Sequence, residues 1–146
     1  MNKYLELYEK QMAETNAFPM FFAFNRNQFE DGMRSLGLDP ADIKSICRLG
    51  TTGGFIRASD APALDEMMTR HYEEMQKAIA EDPTGDGFIF DMFNYELANH
   101  EYNYTHDPEP TLDALGLTME QVRADPRLFH GWKKATRYRK GGTKKC

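Results

Sequence analysis

Between Gly87 and Asn103 the chain reads Phe-Ile-Phe-Asp-Met-Phe-Asn-Tyr-Glu-Leu-Ala-Asn-His-Glu-Tyr, and no other stretch limits the fold as much. Projected at about 100° per residue, Ile89, Phe93, Leu97 and His100 share one side of a helix over 88–102. Phe88, Tyr95, Asn99 and Tyr102 fall on the opposite side. A helix that is apolar on two sides must be wrapped by the rest of the chain. The 146 residues hold enough material for the wrapping, since 40% are hydrophobic, 10 are Phe and 7 are Tyr. The length fits one domain. No apolar run approaches the roughly 20 residues that a membrane-spanning helix needs.

The wrapping elements can be read around that rod. Residues 3–15 form an amphipathic pattern with Tyr4, Leu5, Tyr8 and Met12 on one side. Pro19 and the aromatics Phe18, Phe21, Phe22 and Phe24 predict a buried extended segment. Asn25 and Gln28 have capping-box spacing, so a helix is expected over 26–36, stopped by Gly37. Two short apolar runs, 43–49 and 55–58, flank Gly50-Thr51-Thr52-Gly53-Gly54 and predict a β-hairpin. Ser59 or Asp60 caps the next helix, with Pro62 in its first turn, and that helix runs to about Glu81. A short helix over 108–115 is ended by Gly116, Thr118 with Gln121 caps another, and Asp125-Pro126 opens the last. The expected fold is α+β and mainly α. It is a single compact domain, 1–136, of five to six helices with one small β-hairpin, followed by a basic, flexible tail, 137–146.

The net charge of −5 conceals a segregation. From Glu81 to Glu120 there are ten acidic residues and no Lys or Arg, whereas from Gln121 onward there are nine Lys or Arg and one acid, Asp125. A long acidic stretch repels nucleic acid and attracts a basic partner surface, including one built to hold DNA or RNA. The plainer account is that the acids cap helices and solvate them. Two cysteines, Cys47 and Cys146, make no disulfide framework. The first residues, Met1 to Glu6, lack the apolar stretch of a secretory signal. On both features a cytoplasmic location is the expectation.

Residues 94–107 carry the densest set of chemically useful side chains. Glu96 and His100 are four apart and therefore adjacent on a helix. With His71 they would make a metal-dependent hydrolase, but neither H-E-x-x-H nor the di-iron E-x-x-H spacing is present. A histidine bonded to Glu96 or to a tyrosine explains the pair more simply, so no metal or other cofactor is expected. A second reading is nucleotide capture. In it Tyr95, Asn99, His100, Tyr102 and Tyr104 hold a base or ribose, while Arg57 and the Gly53-Gly54 backbone hold phosphate. A polar network fixing the core competes with it. Other apparent motifs fail. Asp82-Pro83-Thr84-Gly85-Asp86-Gly87 opens like a calcium loop, but its twelfth position is Phe93. The Gly50–Gly54 turn lacks the Lys-Ser/Thr of a phosphate loop. Leu112 to Val122 hints at helix-turn-helix in an acidic setting unsuited to DNA.

The stretches Gly87 to Leu97, Asn99 to Tyr102 and Leu112 to Gly116, with Phe22-Ala23-Phe24 and Gly53 to Arg57, resemble a family of small uncharacterised proteins. Its members are carried by phages, prophages and other mobile elements of bacteria. The resemblance implies context, not chemistry, and extends to about Lys134. In that context small acidic proteins counter host defence. The expected function is therefore a non-enzymatic accessory protein that inhibits a host defence protein, such as a CRISPR nuclease, by competing with its nucleic acid. Asp86, Asp91, Glu96, Glu101, Asp107, Glu109 and Asp113 would supply the negative surface. The alternatives are a sponge for a signalling nucleotide and the metal-dependent hydrolase. The sequence leaves a homo-oligomer open.

Overall fold

The computed structural model describes the backbone of residues 2–144 and the side chains of residues 2–137. In chain order the elements are α1 (Lys3–Ala17), β1 (Phe21–Phe22), α2 (Arg26–Ser35), β2 (Ile46–Leu49), β3 (Gly54–Arg57), α3 (Ala61–Ala80), α4 (Phe88–Asn99), α5 (Tyr102–Thr105), α6 (Glu109–Leu115), α7 (Met119–Ala124) and α8 (Pro126–Lys144). The class is α+β and mainly α. The expected five to six helices become eight among the described residues. The hairpin becomes a three-stranded antiparallel sheet in the order β1-β3-β2. Of the expected basic tail, 137–146, the backbone continues α8 as far as Lys144, and the side chains from Tyr138 lie outside the described residues.

The chain packs as two compact units, one of residues up to Gln11 with those from Glu74 on, the other of Met12–Glu73. The first is built on α4. Ile89, Phe93 and Leu97 are fully buried, as are Leu112 from α6 and Val122 from α7. Trp132 of α8 meets the Phe93 ring edge to face, centroids 5.2 Å apart. Gly131 lets α8 come this close. A Cβ there would stand 2.6 Å from Ile89 Cγ2 and 2.9 Å from the Gly85 carbonyl oxygen.

The expected helix over 88–102 is not continuous. It stops at Asn99, and Glu101 takes a left-handed conformation with φ of 57°. The break redirects the chain, so that Tyr102 reaches the Trp132 ring at 6.4 Å. The start of α4 is held by Asp82, the residue that opens the calcium-like run. Its buried carboxylate accepts hydrogen bonds from the N–H groups of Thr84, Gly85, Gly87 and Ile89 at 2.9–3.2 Å. A carboxylate saturated by backbone donors is a structural anion, not a cation ligand. Arg127 donates to the carbonyls of Ile79, Ala80 and Asp82 and so closes the end of α3.

In the Met12–Glu73 unit, β1 supplies one inward and one outward aromatic, as strand alternation requires. Phe21 is buried and stacks on Phe55 of β3 at 5.2 Å, and Phe29 of α2 meets Phe55 edge-on at 5.2 Å. Phe22 points outward, and the β2–β3 pairing sets Leu49 against Gly54. Asn25 caps α2 by accepting the Gln28 N–H, and the Gln28 side chain accepts from Phe24 N–H.

Candidate functional site

Glu96 is the centre of the polar cluster. The sequence of α4 places it one turn before His100 and buries it to 3% exposure beside Leu97. One carboxylate oxygen accepts a hydrogen bond from the Tyr4 hydroxyl of α1. The other lies 3.4 Å from Asn99 Nδ2 and 3.5 Å from His100 Nε2. Thr111 of α6, also buried, donates its hydroxyl to the Glu96 carbonyl at 3.3 Å. Burial, with the hydrogen bond to Glu96, pushes the Tyr4 phenol far above its usual range, so it stays a donor. This arrangement ties α1, α4 and α6 together.

The negative surface expected from the sequence divides on this geometry. Glu96 does not belong to it, because its carboxylate is buried and bonded. Asp86 is exposed but shared between His130 Nε2 at 2.8 Å and Lys134 Nζ at 3.0 Å. Those two contacts, His130 first, hold its carboxyl below the usual aspartate value. Asp91 accepts the Lys3 backbone N–H at 3.2 Å. Glu101, Asp107, Glu109 and Asp113 are exposed, and none of them has an ion-pair partner among the described residues. Tyr104, which lies between Glu101 and Asp107 in the chain, is 86% exposed on the single turn of α5. The left-handed residues Glu101 and His106 (φ of 57° and 54°) bracket that turn. Tyr102 faces inward to Trp132 and His106, which leaves Tyr104 outward.

The nucleotide set expected from the sequence is drawn from both units. Tyr95 packs on Tyr4 and Tyr8, each at 5.7 Å, and Tyr102 packs on Trp132, so neither ring is free to stack. Only Tyr104 among these tyrosines is open. In the Met12–Glu73 unit Arg57 is held by Asp60 at 2.9 Å and by the Leu36 carbonyl at 3.2 Å. Gly54 N–H is taken by Thr52 Oγ1 at 3.1 Å. The metal set is likewise drawn from both units. His71 is buried in the Met12–Glu73 unit with Glu14 at 3.5 Å, and Glu14 is also paired with Arg70. Glu96 and His100 form their own pair within the other unit.

One feature of the Met12–Glu73 unit was not legible in the sequence. A groove of about 590 Å³ opens between the start of α2, the turn before β2 and the β2–β3 turn. Phe29 and Phe55 line it together with Phe24, Arg26, Ile43 and Arg48. The arginines gave no signal because Arg26 opens α2 and Arg48 lies on β2, and only the packing of helix and sheet brings them to one groove.

The chain belongs to a family of unknown function, DUF7659, whose model matches residues 3–138. No curated protein and no solved structure matches it.

Proposed function

We propose that the protein acts by binding, without turnover, and that its partner presents a basic surface. The observation that carries this reading is Tyr104. It is an aromatic 86% exposed on a single turn bracketed by two left-handed residues, in a stretch of chain that also carries Glu101, Asp107, Glu109 and Asp113, whose charges no described cation neutralises. Exposed tyrosines supply large contact area at small entropic cost and are enriched at interface hot spots. The unpaired carboxylates would steer a cationic partner into register. A surface that holds nucleic acid has this complementary character, so the reading extends to a mobile-element protein that occupies the nucleic-acid face of a host defence factor. No described helix is long and apolar enough to cross a membrane.

The test is retention of partner by the tagged chain from bacterial extract. Wild type, Tyr104→Ala and a triple Glu101→Lys, Asp107→Lys, Glu109→Lys variant are compared. Wild type should retain a basic protein that about 0.5 M salt releases, given a Debye length of a few ångströms there. Each variant should retain about tenfold less, with unchanged circular dichroism. Retention indifferent to salt and to both variants would overturn the reading.

A further inference from the structure

The groove of the Met12–Glu73 unit has a chemistry of its own, independent of the acidic face. Its rim exposes two large apolar side chains: Phe24 is 78% exposed and Ile43 71%. The Phe24 ring is seated on the β2–β3 turn. A Cβ added to Gly53, which has φ of +83°, would fall 2.4 Å from ring Cε1. Glycine at that position thus gives the ring a flat rest and leaves most of it open to a second planar group.

Two guanidinium groups line the same groove. Arg48 stands 5.7 Å over the Phe55 ring and has no ion-pair partner among the described residues. Arg26, whose side chain is 89% exposed, is loosely tied to Glu30 at 3.4 Å. Guanidinium forks match phosphate oxygens in pairs, and an open aromatic ring accepts a base. The volume of about 590 Å³ lies within the ordinary range of small-ligand pockets.

We infer that this groove binds a nucleotide, with its base on Phe24 and its phosphate between Arg26 and Arg48. A nucleotide with few phosphates is favoured over a long polyanion. The Met12–Glu73 unit holds nine acidic residues against six Lys or Arg, and an extended strand would meet that excess. Free nucleotide and the exposed end of a single strand share the recognised chemistry.

Titration calorimetry of the full chain tests the assignment with AMP, adenosine, inorganic phosphate and a short oligothymidylate. AMP should bind saturably, about tenfold or more tighter than adenosine or phosphate alone, because each lacks one half of the recognised group. Phe24→Ala and Arg48→Ala should each weaken AMP by about tenfold, and both sites are exposed enough for the fold to survive. Arg48→Lys should recover only part of the loss, since lysine keeps the charge and loses the fork. An oligothymidylate bound no tighter than AMP identifies free nucleotide as the ligand. One bound about tenfold tighter identifies a strand end. The inference is overturned if none of the nucleotides binds at about 5 mM, if phosphate alone matches AMP, or if both alanine variants bind as wild type does.

Discussion

Glu96 shows how a single residue's role depends on partners far along the chain. Its neighbour His100 is visible from the four-residue spacing. Tyr4, which lies 92 residues away and donates to the buried carboxylate, is not. Removing the Tyr4 hydroxyl leaves that carboxylate short of a donor in a desolvated place, at a cost of about 1–3 kcal/mol. Tyr4→Phe should therefore lower the denaturation midpoint by that amount with an unchanged m-value. Glu96→Gln should cost less, since its amide oxygen still accepts from Tyr4. If the two variants lose equal stability, the phenol is not the donor that matters.

Among the elements, the approach of α8 to α4 and the break after α4 carry the most information. The periodic pattern over 88–102 predicts one rod, and the apolar positions do pack inward as the pattern requires. The break at His100–Glu101 arises from packing, because Tyr102 gains the Trp132 ring only if the chain turns there. A local propensity cannot report that contact. Gly131 is similar: in a helix it is a poor former by about 1 kcal/mol relative to alanine, which reads as a weakness. Its use appears only when Ile89 and the Gly85 carbonyl are seen against it. Gly131→Ala should lower stability by about 1–3 kcal/mol despite the better propensity, because overpacking outweighs it. Glu101→Gly should do the opposite. It relieves a left-handed conformation at a net gain of about 0.5–1 kcal/mol, read as a higher thermal midpoint.

For the molecule as a whole, the acid side of the pH profile follows from its structural carboxylates. Burial raises the Asp82 pKa, but the N–H groups of Ile89, Gly85, Thr84 and Gly87 outweigh it and hold the group below the ordinary aspartate value. Asp125 is held down in the same way, by Arg127 and the Leu128 N–H acting against burial. A group depressed in the folded state contributes its full stability above the unfolded pKa of about 3.8 and loses it as pH falls through the lower folded value. Stability should hold from neutral pH to about 5 and then decline in acid. Asp82→Asn should be less stable at neutral pH by about 2 kcal/mol, since the N–H groups lose a charged acceptor. It should also show a shallower acid decline. Chemical denaturation across pH reads both, and an unchanged slope would exclude Asp82 as a contributor.

The sequence alone determined what depends on neighbours within a turn or two: the helix starts at Asn25 and Thr118, the stops at Gly37 and Gly116, the β2–β3 turn, and the inward face of α4. Short-range sterics and hydrogen bonds set these, and the residues involved are adjacent in the chain. Tertiary structure decided which polar groups remain available. It buried Glu96, occupied Asp82 and Arg57 with internal partners, turned Tyr102 inward and Tyr104 outward, and brought Arg26 and Arg48 to one groove. Apart from Asp82, whose N–H donors follow it within a few residues, each of these outcomes rests on a contact between residues distant in sequence. Desolvation and pairing act only after such contacts form, and the order of residues in the chain does not encode them locally.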